Sequence, residues 1–61
     1  MTKMIITNEM YRKFIEDAIA TEGYKVADIA NKKALEMEAI TLDQYRMAAQ
    51  LIVEAYKKAN W

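Results

Sequence analysis

Apolar residues recur along this chain with the spacing of amphipathic α-helices. In the first such stretch, residues 8–22, apolar side chains return every three or four positions. They are Met10, Tyr11, Phe14, Ile15, Ala18 and Ile19. Charged residues fill the other side, and pairs four apart such as Glu9 and Lys13 can form weak ion pairs. We therefore predict a helix over residues 8–22 that buries the six apolar residues and stops at Gly23 in a left-handed conformation.

Two more apolar patterns predict a second and a third helix. The stripe of residues 25–38 is narrow, and its alanines favour close approach of a neighbouring helix. It comprises Val26, Ile29, Ala30, Ala34 and Met37, with Lys33 intruding on it. Residues 42–59 carry a broader apolar arc, about 200° at 3.6 residues per turn. This arc comprises Leu42, Tyr45, Ala48, Ala49, Leu51, Ile52, Val53, Ala55, Tyr56 and Ala59.

The first and third helices are preceded by the same pattern, Ile-Thr-x-acidic-x-Tyr-Arg, at residues 6–12 and 40–46. The threonine is a preferred N-cap, and the isoleucine before it can pack on the tyrosine as a hydrophobic staple. Gln44, three residues after Thr41, completes a capping box, which Met10 cannot do in the first copy. The two starts are offset by about 34 residues, the period of a helical-hairpin repeat. The repeated pattern is therefore either the same capping arrangement used twice or an internal repeat.

Composition narrows the possible functions. A chain of 61 residues is one domain at most and buries only about 60% of its unfolded surface. It has no cysteine for a disulfide and no histidine for general-base chemistry or metal binding. Nine basic and nine acidic residues cancel, which argues against a nucleic-acid or anionic-membrane surface.

The chain also has no pattern of a membrane or secreted protein. No apolar run is long enough to cross a bilayer, and residues 1–6 are too short for a secretory signal. We expect a complete protein that is cytoplasmic in a bacterial host or associated with a virion. Residues 1–6 are expected to form a lead-in arm.

We predict no catalytic, cofactor or metal site. The carboxylates fall on the charged sides of the helices, where solvated pairing with lysine is the ordinary role. The four tyrosines lie on or beside apolar faces, as is typical of residues at the edge of a core. We therefore expect that the protein is not an enzyme and needs no cofactor.

The third helix has more apolar surface than the rest of so short a chain can cover. We predict an all-α protein of three helices, with the first and third as the main packing pair and the second bridging them, completed by a homodimer or higher oligomer. Met47 and Leu51 are the candidate flank of the intersubunit patch. Trp61 is either a frayed terminus or an anchor in a partner's pocket. The predicted interface residues are Tyr45, Met47, Leu51, Ile52, Tyr56 and Trp61.

Residues 34–56, centred on Ala39-Ile40-Thr41-Leu42-Asp43-Gln44-Tyr45, resemble a known helical hairpin. It is the helix, Gly-x-Ile-Thr-x-Glu-Gln-Tyr, helix unit of XkdX-type proteins in phage tail-gene modules, and the stretch is also similar to the SHOCT hairpin of bacterial proteins. Glu38-Ala39 replaces the turn glycine of that pattern. The resemblance implies a short phage or prophage protein, in a tail module or as an inhibitor of a host protein. Its partners would be itself and a larger protein, and it would have no catalytic role.

Residues 23–30, Gly-Tyr-Lys-Val-Ala-Asp-Ile-Ala, also resemble the start of a helix-turn-helix of the tetracycline-repressor type. The gap between Gly-Tyr and Asp-Ile-Ala is shorter here, and Ala34-Leu35-Glu36 stands where Ala-Gly-Val would make the sharp turn. If the motif applies, Leu42, Gln44 and Arg46 would face DNA. A minimal helix-turn-helix DNA-binding regulator is therefore the alternative function.

Overall fold

A computed structural model describes residues 6–59, which form three α-helices and no strand. They are α1 (Asn8–Glu22), α2 (Tyr24–Glu36) and α3 (Leu42–Ala59). Each helix packs on both of the others to a similar extent. The predicted all-α three-helix bundle is confirmed, whereas α1 and α3 are not a dominant pair. Apart from Ile6, the predicted lead-in arm lies outside the described residues.

Both threonine N-caps form as predicted. Thr7 has an extended backbone, and its Oγ1 accepts a hydrogen bond from the backbone N–H of Met10 at 3.2 Å. Thr41 Oγ1 accepts from the N–H of Gln44 at 3.2 Å, and Gln44 Oε1 accepts from the N–H of Thr41 at 2.9 Å. The second start is therefore a complete capping box, which satisfies one more backbone donor than the first.

A single residue, Gly23, joins α1 to α2. Its φ of 95° is positive as predicted, but its ψ of 166° is extended rather than helical, a combination that is essentially restricted to glycine. Its N–H donates to the carbonyls of Ala18 and Ile19, at 3.1 Å each. Its own carbonyl accepts from the N–H of Ala27 at 3.2 Å. Because Gly23 serves both helices, α2 begins at Tyr24, one residue before the predicted start.

The connection from α2 to α3 is a Schellman turn closed by a glutamate. Ala39 N–H donates to the Ala34 carbonyl at 2.9 Å, and Glu38 N–H donates to the Leu35 carbonyl at 3.0 Å. Glu38 has a φ of 58°, so the left-handed residue stands where the hairpin pattern has glycine. This conformation costs a residue with a Cβ about 1 kcal/mol. It also ends α2 at Glu36, two residues before the predicted end.

The core is small and contains both apolar and polar side chains. Ile15, Ala27 and Ala48 are fully buried, and the two alanines allow the helices to approach closely. The buried hydrophobic residues are Tyr11, Ile15, Ala27, Ile40, Ala48 and Ile52, and the buried polar residues are Asn31 and Gln44.

The inward side of α2 differs from the predicted stripe. The residues that face the core are Tyr24, Ala27, Asn31, Ala34 and Leu35. Val26, Ile29 and Met37 are exposed instead, because the close-packing Ala27 and the hydrogen-bonded Asn31 occupy the side that faces α1 and α3. The prediction for α1 is correct for four of its six apolar residues. Its residues 11, 15, 18 and 19 face inward, but Met10 and Phe14 are more than half exposed.

Candidate protein-binding surface

A chain of buried hydrogen bonds links the three helices. Tyr11 of α1 donates through its hydroxyl to Asn31 Oδ1 of α2 at 2.6 Å. Asn31 Nδ2 donates in turn to the backbone carbonyl of Tyr45 in α3, at 3.1 Å. Among the described residues, every buried side-chain nitrogen and oxygen has a partner. We interpret this cluster as structural, since it leaves no buried polar atom available to a ligand.

Gln44 extends the polar contacts to the segment before α1. Its Nε2 donates to the carbonyl of Ile6 at 2.7 Å, in addition to the capping-box bonds with Thr41. The side chain is only 5% exposed. Gln44 therefore holds the start of α3 against the start of α1. The sequence predicted its capping role but not this second contact.

The charged residues of the described chain lie on its exposed surface, except the partly buried Asp28. No group of three or more carboxylates, histidines or cysteines in residues 6–59 could hold a metal ion. The ion pairs Arg12–Glu16, at 3.9 Å, and Lys32–Asp28, at 3.2 Å, are exposed helix-surface pairs. Burial raises the pKa of the Tyr11 hydroxyl, which keeps this group protonated as a donor to Asn31. In the same range, no helix combines the length and the apolar character needed to cross a bilayer.

The predicted interface residues on α3 are distributed between the core and its edge. Ile52 is buried at 6% exposure, and Tyr45, Met47 and Leu51 are half-buried against the core of the same chain. Tyr56 is half exposed, and its ring meets the ring of Tyr24 edge-on at a centroid distance of 5.2 Å. Trp61 lies outside the described residues.

The width of the apolar arc on α3 has a physical explanation within one chain. A helix that packs on two neighbours needs a broader apolar arc than a helix that packs on one. Leu51 lies on the side of α3 that faces Ile19 of α1, whereas Tyr45 and Tyr56 lie toward α2. Most of the arc is therefore covered by α1 and α2.

The uncovered apolar surface lies mainly on α1 and α2, and it is large for so small a domain. Eight large hydrophobic residues of the described chain are 44% to 70% exposed, whereas six hydrophobic residues are buried. The exposed residues are Met10, Phe14, Val26, Ile29, Met37, Leu42, Val53 and Tyr56. A concentration of exposed apolar side chains, unlike scattered single ones, marks an interaction surface.

Five of these residues form what we call the α1–α2 face: Met10, Phe14, Val26, Ile29 and Met37. Met10 and Phe14 line an open groove of about 370 Å³ together with Ala34 of α2 and Ile40 of the turn. Met37 stands three residues after Ala34 and so lies toward the groove, whereas Val26, eight residues before Ala34, is rotated about 80° from it and faces outward. Ile29 points away from the core between them. All five belong to the apolar stripes of the sequence, and the prediction placed them facing the core.

The other three exposed residues form what we call the α3 edge: Leu42, Val53 and Tyr56. Val53 and Tyr56 line a shallow cleft of about 290 Å³ with Tyr24, Lys25 and Asp28 of α2. The cleft has one lysine and one aspartate at its rim, so it is less uniformly apolar than the groove beside Phe14.

Comparison with known proteins gives no relative of this chain: no family model matches it, and no curated protein or solved structure matches it significantly.

Proposed function

We propose that this protein is a small non-catalytic protein–protein interaction protein that self-associates and also docks on a larger protein. The observation that carries the proposal is the excess of exposed over buried large hydrophobic side chains. Each contributes about 1.5–3 kcal/mol when it moves from full exposure to full burial. Because a chain of this size has a marginal core, covering the α1–α2 face would add substantially to its stability.

A phage or prophage setting, as a tail-module component or an inhibitor of a host protein, is part of the proposal. It rests on the resemblance of residues 34–56 to the XkdX-type hairpin. The capping box at Thr41 and Gln44, which that resemblance contains, does form.

The alternative, a helix-turn-helix regulator, has less support. Of the three residues expected to face DNA, Gln44 is buried and hydrogen-bonded to Ile6 and Thr41. The other two of these residues, Leu42 and Arg46, are exposed at the start of α3. Zero net charge argues against a basic surface for the phosphate backbone.

Analytical ultracentrifugation over a wide concentration range tests self-association. We expect a concentration-dependent mass above the 7.1 kDa of one chain, and a melting temperature that rises with protein concentration. A single species of one chain at every concentration would contradict self-association. Salt-sensitive retardation of DNA by that species would instead favour the regulator.

The choice of variant matters for this test. Leu51→Glu would test the intersubunit flank predicted from the sequence, but it would disturb the fold as well as any interface, since Leu51 packs on the core of its own chain. Substitutions on the α1–α2 face avoid this difficulty.

A further inference from the structure

We infer that the occupant of the outward side of α2 is a second copy of this chain, with the two α2 helices side by side and antiparallel. This inference rests on the self-association proposed above and assigns its interface. It starts from the fact that α2 is apolar on two opposite sides. The inward side packs on α1 and α3, and the outward side carries Val26, Ile29 and Met37, each 44% to 70% exposed.

The outward stripe has the dimensions of a helix–helix contact. Val26 and Met37 are 11 residues apart, which is about three turns and 17 Å along the helix axis. Ile29 lies between them on the same side, and Ala30 beside it is small enough for a second helix to approach closely. Only Lys33 interrupts the stripe, and its aliphatic stem can lie along an apolar contact while the ammonium group reaches water.

The charges beside the stripe select the antiparallel arrangement. Lys25 and Glu36 also lie about three turns apart, on one flank of the stripe and near its two ends. Neither belongs to an ion pair within residues 6–59, whereas the neighbouring Lys32 is already paired with Asp28 at 3.2 Å. In an antiparallel pair with two-fold symmetry, equal flanks meet, so Lys25 of each copy faces Glu36 of the other. A parallel pair with two-fold symmetry would bring opposite flanks together instead, so Lys25 and Glu36 would not meet.

The same symmetry places Ile29, the exposed residue in the middle of the stripe, at the centre of the interface. When Lys25 is opposite Glu36, the two-fold axis passes between residues 30 and 31. Ile29 of one copy then lies against Ile29 of the other. Val26 and Met37 of opposite copies meet at each end. A foreign helix would have no reason to match this arrangement of charges at both ends.

A charge-exchange experiment tests the inference by sedimentation equilibrium at low salt. Lys25→Glu sets two acidic side chains opposite each other at both ends of the interface, and Glu36→Lys sets two basic ones. We expect each single variant to weaken the dimer about tenfold. The double variant Lys25→Glu/Glu36→Lys should return to within about threefold of the wild type, because the pairs form again with reversed sign. The two positions are too far apart to touch within one chain, so this rescue requires a second copy.

Ile29→Glu and Val53→Glu form a matched pair for the apolar part. Both replace an exposed β-branched residue with glutamate, one on the outward side of α2 and one on the α3 edge. We expect Ile29→Glu to shift the mass to one chain with an unchanged far-ultraviolet circular dichroism spectrum, and Val53→Glu to leave the wild-type mass.

The outcomes separate this inference from the broader proposal. If the wild type self-associates, and Val53→Glu dissociates it while Ile29→Glu and both charge variants do not, the inference is wrong and the proposed self-association stands. If the wild type is a single chain at all concentrations and its α1–α2 face binds only a different protein, the second copy is ruled out as the occupant and the self-association fails with it.

Discussion

Asn31 and Ile29 stand two residues apart on α2 and have opposite environments. The amide of Asn31 is fully buried at the centre of the bundle, whereas the aliphatic side chain of Ile29 is 65% exposed. Burial of the asparagine is tolerated because it has partners on both neighbouring helices, the hydroxyl of Tyr11 and the carbonyl of Tyr45. Within residues 6–59, the isoleucine has no neighbouring helix on its side of α2.

The difference shows that hydrophobicity alone does not decide which side of this helix faces the core. The inward side combines close-packing alanines with one polar residue that must be paired, so a shift of α2 along α1 would leave Asn31 and Tyr11 unpaired in a dry environment. The outward side is apolar, and its side chains need no hydrogen-bond partner. We interpret the inward side as specifying the fold and the outward side as available for association.

The largest expected effect comes from removing the buried amide. Asn31→Ala leaves the Tyr11 hydroxyl without an acceptor and creates a cavity, so we expect a loss of about 2–4 kcal/mol in the free energy of unfolding. Urea denaturation followed by circular dichroism measures it. A matched double variant, Tyr11→Phe/Asn31→Leu, should be more stable than the alanine variant, since both polar partners are removed together. A loss below 1 kcal/mol for Asn31→Ala would show that the buried pair does not hold α2 in place.

The next effect comes from the other partner of the same bond. Tyr11→Phe removes the hydroxyl and leaves Asn31 Oδ1 buried without a donor, which should cost about 1–3 kcal/mol. The same denaturation experiment measures this loss. Tyr45→Phe is a suitable control for the loss of a tyrosine hydroxyl, because the side chain of Tyr45 is only half-buried. Equal losses for the two variants would argue against a special role for the buried tyrosine.

Alkaline pH should lower the stability of the fold, because the Tyr11 hydroxyl then loses the proton that it donates to Asn31. Burial raises the pKa of Tyr11 above its ordinary value of 10.0, so the unfolded chain releases this proton at lower pH than the folded one. The contribution of the protonated Tyr11 to the free energy of unfolding is fully present below about pH 10 and is lost as the pH rises through the folded-state pKa. Urea midpoints measured from pH 8 upward should fall more steeply for the wild type than for Tyr11→Phe. Parallel curves would contradict the expectation.

A change at the end of α2 should strengthen the helix without touching either side of it. Glu38 holds a left-handed conformation with a φ of 58°, so Glu38→Gly relieves its steric strain and should add about 0.5–1 kcal/mol. Thermal unfolding at a fixed protein concentration measures the gain. Glu38→Ala keeps the Cβ and should give no such gain, so an equal shift for both variants would point to the lost charge instead.

The smallest effect on folding should come from the outward side. Ile29→Gln replaces an exposed apolar side chain with a polar one of similar size. We expect the free energy of unfolding of the single chain to change by no more than about 0.5 kcal/mol. Denaturation at concentrations below those of self-association isolates this quantity. A loss as large as that of Asn31→Ala would mean that Ile29 contributes to the fold of one chain, and the distinction between the two sides of α2 would be wrong.

The sequence predicts those parts of the fold that depend on neighbours along the chain. The bounds of α1 and the capping bonds of Thr7 and Thr41 follow from local chemistry and are confirmed. The side of α2 that faces inward depends on a bond between Tyr11 and Asn31, 20 residues apart, and no local pattern contains that information.

The predicted interface on α3 shows a second limit of the sequence. Leu51 belongs to the predicted apolar arc and Met47 stands at its flank, and the sequence predicts both as part of an intersubunit patch. In the structure both pack beside the core, because α3 has two neighbours rather than one. Their role in an intersubunit contact stays a prediction, whereas the apolar surface left open belongs mainly to α1 and α2.

The one-residue joint at Gly23 gives the chain an angular constraint. Successive residues of a helix are rotated by about 100°, and no loop separates α1 from α2 in which such a rotation could be absorbed. One extra residue inserted after Gly23 would swing the buried asparagine out of phase with its partners, unless α2 unwound at its first turn. The five-residue connection from 37 to 41 can absorb such a rotation, so natural variation in length is expected there rather than at the glycine.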